Sequence, residues 1–286
     1  EAAVDPNINA TYTKTPSKIK RDQEPAYGAA AEVKTPKVWE GKLNNGLRVY
    51  GIQNDEVPLV QFEIVMDGGL QLEDINKVGV ANLMARMMTQ GTAKKTPQEL
   101  EEAMKQLGAS ISVGANTEDI RVGFTTLARN YTATVALVEE ILLHPRWDEK
   151  EFALVKQAVL SQIRQQEANP NAIANNNYNK LIYGNDNIRS RNILGSEETV
   201  KAITIDDLKA YYQKNLSPSV TRMHIVGALP RAAIETSLAS LAKNWQAKKV
   251  DLPVANPAAA NGKQAQGKVF FVDIPDAKQS VLQIGY

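Results

Sequence analysis

Apolar positions along this chain switch between two periods, and the switches mark its elements. Over residues 79–89, Val80, Leu83, Met84, Met87 and Met88 recur at i, i+3, i+4, i+7 and i+8, the spacing of one buried helical stripe. Asn82, Ala85 and Arg86 lie together away from the centre of that stripe, and Asn82 and Arg86, four apart, share a face. Residues 59–66 alternate instead, with Val60, Phe62, Ile64 and Met66 on one side, as a half-buried strand does. Before them, 42–51 reads as two short strands about an Asn45-Gly46 turn. Thr96-Pro97-Gln98-Glu99 is a capping box with Pro at the first helical position, and the helix it opens stops at Gly108.

The same reading continues downstream. Residues 110–115 and 120–127 form a hairpin across 116–119. Asn130 caps a helix to about residue 142, which His144-Pro145 closes. Asp148 caps a second, running through Phe152, Val155, Val159 and Ile163 to about 167. Asn169-Pro170 breaks it, and a polar, Asn-rich helix covers 171–183. Residues 184–195 read as loop, Thr204 caps a helix to about 215, 220–226 alternates as a strand, and Pro230 opens a helix to 245.

Strands at both ends of a long helical middle predict an α+β fold, an antiparallel or mixed sheet covered by helices. Residues 37–246 hold that domain. Residues 1–36, with Pro6, Pro16, Pro25 and Pro36 and little periodicity, read as an extended Pro-rich arm or interdomain linker. Residues 247–267, rich in Ala, Pro, Asn, Gln and Gly, read as a second linker. Strands at 268–272 and 280–284 would then begin a second, similar α+β domain at 268–286. A start at Glu1 and a stop after an alternating run predict one segment of a longer polypeptide.

Composition narrows the chemistry. A net charge of +1 over 286 residues lacks the basic excess of a dedicated nucleic-acid binder, and no apolar run reaches the roughly 18 residues of a membrane-spanning helix. Without Cys there are no disulfides, thiolate zinc sites or Cys nucleophiles. The two histidines, His144 and His224, have no ligand spacing. No G-x-S-x-G elbow and no phosphate loop occurs. The carboxylate pairs Glu101-Glu102, Glu139-Glu140 and Asp206-Asp207 sit on helices, where solvated faces and caps account for them.

Seven segments in order carry a family resemblance. They are N-N-G-L-R-V-Y, V-P-L-V-Q-F-E-I-V-M-D-G-G, G-V-A-N-L-M-A-R-M-M-T-Q-G-T, Q-L-G-A-S-I-S-V, E-F-A-L-V-K-Q-A-V-L-S-Q-I-R, I-T-I-D-D-L-K-A-Y-Y-Q-K-N-L-S-P-S and M-H-I-V-G-A-L. Over about residues 38–286 the chain resembles the insulinase/pitrilysin family of zinc metallopeptidases, the mitochondrial processing peptidases included. In active members the helix reads H-x-x-E-H, and a further Glu about 75 residues on completes the zinc site. Carried over, the ligand positions fall on Asn82 and Arg86, the catalytic Glu position on Ala85, and the distal Glu position on Ser161-Gln162. Asn is a poor zinc ligand, Ala cannot activate water, and Arg is a permanent cation. The resemblance therefore implies a degenerate motif: no catalytic or metal-binding residue on this chain, and zinc only in a catalytic half.

Family members close two homologous halves like a clamshell around a peptide-holding chamber, and this chain resembles the start of the degenerate second half. The implied function is a non-catalytic half or subunit of a bacterial insulinase-type endopeptidase, forming chamber wall and peptide contacts. Its implied partners are a peptide or protein substrate and a zinc-bearing half, on the same chain or a separate subunit. Arg86 is the candidate substrate contact, or else fills a vacated site and pairs with a local acid. The alternative is a proteolytically inactive scaffold that binds peptide along a sheet edge. A third reading, an unrelated metalloenzyme, predicts stoichiometric metal. Family habit implies the bacterial periplasm or another exported location.

Overall fold

The structure is a computed structural model that describes residues 15–18, 22–24, 26–30, 32, 34–254, 267–275 and 279–285. Residues 1–36 and 37–286 form separate units. The described residues of the first have neither helix nor strand and are exposed. Pro6 and Pro25 of the expected arm, and 255–266 of the expected second linker, lie outside the described residues.

The second unit is built on a six-stranded mixed sheet in the order β1-β2-β6-β3-β5-β4. Its strands are β1 (Trp39–Lys42), β2 (Arg48–Gln53), β3 (Leu59–Asp67), β4 (Ser110–Ala115), β5 (Asp119–Leu127) and β6 (Thr221–Gly227). All neighbours are antiparallel except β2 and β6, which run parallel with Val49 opposite Met223. Register follows the alternation: Ile225, Phe62 and Phe124 stand in one row, Met223, Ile64 and Val122 in the next, all buried. The Phe62 and Phe124 rings lie 4.3 Å apart. The opposite face carries Glu63, Arg121, Arg222 and His224, tied by Arg121–Glu63 at 3.5 Å and Arg222–Asp67 at 2.5 Å.

Helices cover the apolar face: α1 (Val80–Met88), α2 (Pro97–Leu107), α3 (Tyr131–Leu143), α4 (Glu149–Glu167), α5 (Pro170–Tyr183), α6 (Glu197–Ala202), α7 (Ile205–Asn215), α8 (Arg231–Ser237) and α9 (Ala239–Asn244). Helix α1 packs against β4, α4 and α7. It is more deeply set than its single stripe predicts, because every residue but Arg86 is buried. Leu83, Met84, Met87 and Met88 are fully enclosed, each worth roughly 1.5–3 kcal/mol of burial. No described helix is long and apolar enough to cross a membrane.

Three expectations are corrected, and one element is added. The alternating runs at 268–272 and 280–284 form no strand; Val269, Phe271, Leu282 and Ile284 are exposed, and alternation makes a strand only where a partner edge accepts it. The helix from Pro230 is two, α8 and α9, parted at Leu238, whose φ of −84° and ψ of −4° depart from the regular helical ladder. Asn130 does not cap α3 with its side chain; its amide donates to the Leu107 carbonyl, at the end of α2. Between the expected loop and the Thr204 cap lies α6, a short helix opened by a Ser196–Thr199 capping box.

Candidate functional site

Helix α1 starts at Gly79, whose φ is +114° and which has no side chain to offer the free N–H groups of the first turn. Glu73 meets that need from outside the helix. Its carboxylate accepts from the Gly79 N–H at 2.7 Å and the Ala81 N–H at 2.6 Å. Burial pushes the Glu73 carboxyl up to about 7, against those backbone donors, which favour the ionised form. The Tyr211 hydroxyl, also driven up by burial and then by the Glu73 charge, donates to the Gly69 carbonyl at 2.7 Å.

One turn into the helix, Asn82 is buried and its Oδ1 accepts from Arg86 Nε at 3.2 Å. From α4, Gln162 Oε1 accepts from Arg86 Nη2 at 2.8 Å. The guanidinium thus spans α1 and α4 on two amide oxygens. Asn82 Nδ2 is buried with no partner, and Ala85 adds a buried methyl on the same helix. Ser161 is exposed and takes no part; its neighbour Gln162 is the one the helical turn brings inward.

The expected acidic partner of Arg86 is not there: among the described residues Arg86 makes no ion pair, only these amide contacts. The Glu73 carboxylate is committed to the start of the helix. This donor set does not fit a zinc ion. Two amide oxygens are weak ligands, a methyl is none, and a guanidinium repels a dication. Among the described residues no group of three or more His, Cys, Asp or Glu is arranged to hold a metal ion.

The other candidates sit elsewhere. His144 ends α3, its N–H bonded to the Glu140 carbonyl. His224 lies on the outer sheet face, its Nδ1 3.9 Å from Glu63 and its ring 5.8 Å from that of Tyr50. The carboxylate pairs are structural: Glu101 pairs with Lys105, Glu139 accepts from Ser240 and Asn244, Glu140 from Lys95, and Asp207 from Lys77 and the Thr204 cap. Glu73 escapes the sequence reading, although a Gly at the N-cap signals that the first turn must be capped from a distance.

Residues 48–194 match the family model described as insulinase (peptidase family M16). A Helicobacter pylori protein named non-peptidase homolog YmxG is 24% identical over 162 residues, 57% of this chain and 37% of that one. The Bacillus subtilis uncharacterized zinc protease YmxG is 23% identical over 191 residues, 67% of this chain and 46% of that one. The rat mitochondrial-processing peptidase subunit beta is 22% identical over 223 residues, 78% and 45% of the two. The chain thus spans less than half the length of these relatives. Among solved structures, a peptidase M16 inactive domain from Pseudomonas fluorescens superposes with a TM-score of 0.73 at 22% identity, covering 77% of this chain and 54% of that one. The periplasmic protease PqqL from Escherichia coli gives 0.70 at 18% identity, covering 80% and 26%. These structures share its fold, a mixed sheet with helices on one face.

Proposed function

The chain belongs to the insulinase family, peptidase family M16, and from that premise we propose that it is a non-catalytic half of a bacterial zinc endopeptidase. It works against a zinc-bearing half, on the same polypeptide or on a separate subunit. The observation that carries this reading is the Arg86 guanidinium, held on Asn82 and Gln162 where the family's metal ligands would stand. A permanent cation in that place keeps zinc out and leaves a peptide-facing donor in its stead.

Peptide can be held beside this group. Strand β4 ends the sheet, α1 packs against it, and alternate β4 residues are exposed. An extended peptide pairing with that edge gains backbone hydrogen bonds, and its alternate side chains fall toward α1. Support for an exported location is narrower: the neighbour PqqL is named a periplasmic protease. Fractionation of cells expressing the natural gene tests that, and a cytosolic signal would reject it.

The pairing is tested by mixing this chain with the H-x-x-E-H-bearing family member encoded in the same genome and measuring peptide hydrolysis. At least a tenfold gain in kcat/KM over the zinc-bearing chain alone is expected. No gain, with no complex detected by sedimentation, rejects the reading. The relative named a non-peptidase homolog favours a second reading, an inactive scaffold that binds peptide along the same edge. A complex that binds peptide without any gain in hydrolysis would select it.

A further inference from the structure

A concavity of about 510 Å³ opens along α4 one turn beyond Gln162. Gln166 and Glu167 of α4, Asn176 and Lys180 of α5, the turn at 190–192 and the start of α6 line it. Its walls are pinned. Asn192 Nδ2 donates to Gln166 Oε1 at 2.9 Å and to Asn176 Oδ1 at 3.3 Å, while its Oδ1 accepts from the Leu194 N–H. The Thr199 hydroxyl donates to the Val78 carbonyl at 2.8 Å, and Gly195, at φ +80°, lets the chain pass close beneath it.

The charges in this cavity are not pinned. Arg191 has a fully enclosed Nε that meets no acceptor, and its guanidinium makes no ion pair among the described residues. Lys180, Glu167 and Glu198 also line the cavity, are exposed, and make no ion pair or side-chain hydrogen bond among the described residues. Two cations and two anions therefore face one cavity without neutralising one another. The enclosed Nε lies out of a ligand's reach, but Arg191 lines the cavity with no anionic partner among the described residues, and a carboxylate is the best partner of a guanidinium, by a two-pronged contact. The exposed Glu167 and Glu198 in turn suit an ammonium.

We propose that this cavity binds a free di- or tripeptide, with its terminal carboxylate on Arg191 and its ammonium toward Glu167 and Glu198. The opposed charges fit a zwitterion, and the volume lies in the range of sites that enclose a small ligand. The inference is independent of the role of Arg86, since none of these residues touches Asn82, Arg86 or Gln162 through a hydrogen bond.

The test is calorimetric titration of the whole chain with trialanine, with trialanine C-terminal amide, and with inorganic phosphate. Trialanine is expected to bind, the amide at least tenfold more weakly, and phosphate more weakly than trialanine. Arg191→Met is expected to lose binding at least tenfold while keeping a wild-type circular dichroism spectrum. Absence of binding, equal binding of the amide, or phosphate bound as tightly as trialanine overturns the proposal. The amide comparison on the wild-type chain decides the matter even where Arg191→Met fails to fold.

Discussion

Arg86 Nη2 and Gln162 Oε1 stand 2.8 Å apart and join two helices 76 positions apart in the chain. The contact is charge-assisted but not an ion pair, because its acceptor is an amide. Replacing Arg86 with Leu leaves the buried Asn82 amide and Gln162 without their shared donor. A loss of about 1–3 kcal/mol is expected, read as a lower urea midpoint at unchanged slope. Lys in its place will not restore the loss, since one ammonium cannot copy a planar fork reaching both oxygens.

If the frame around that contact still has the shape of a metal site, restoring the ligands should restore the metal. Asn82→His, Ala85→Glu, Arg86→His and Gln162→Glu together are expected to give a chain that keeps about one zinc after dialysis. The same set with Ser161→Glu in place of Gln162→Glu is expected to keep none, because Ser161 is exposed. Zinc content by atomic absorption checks both.

Glu73 gives stability a pH dependence with a definite sign. Its carboxyl is pushed from 4.5 to about 7 in the folded chain, so between those values the folded state holds a proton that the unfolded state releases. Stability from this group is therefore complete below about pH 4.5 and is lost as pH rises through about 7. The full shift corresponds to about 3 kcal/mol. Asp119, Asp148 and Glu197, held low by Arg121, by the first-turn N–H groups of α4, and by Lys201 with Arg164, act oppositely and only at the acid end. Relative to wild type, Glu73→Gln should gain about 2.5 kcal/mol between pH 5 and pH 8. Urea unfolding at both values measures it.

Gly195→Ala separates backbone strain from close approach. At φ +80° any side chain is strained, and an added Cβ would stand 2.2 Å from the Val78 carbonyl oxygen. Gly46, at φ +93°, has nothing within 4 Å of the same added atom. Gly46→Ala is expected to cost about 1–2 kcal/mol, and Gly195→Ala at least about 2 kcal/mol more, by thermal unfolding.

Much of the fold is legible because its signals are local. The Thr96-Pro97-Gln98-Glu99 box, the 59–66 alternation and the Met-rich stripe of α1 each specify an element within a dozen residues, and the structure has those elements in place. Strand order is not local: nothing near Thr221–Gly227 announces that it runs parallel to β2 and antiparallel to β3. Alternation misleads at 268–272 for the same reason, since pattern supplies a candidate strand but not its neighbour. The Asn82–Arg86 pair is readable from helical spacing, whereas Gln162 is fixed only by how α4 packs on α1. Glu73 and Arg191 lie in irregular segments with no period at all, so their enclosure emerges only from the assembled chain.

The position of β6 also governs how the molecule comes off the ribosome. Strands β1–β2 and β3–β5–β4 are complete long before Thr221 is made, and each awaits β6 on an unpaired edge. From residue 127, where β5 ends, until residue 221, where β6 begins, those two edges are open to any other extended chain. Final closure is thus a long-range insertion rather than a zippering step. Slow refolding is therefore expected, and nascent chains ending before 221 should form insoluble deposits.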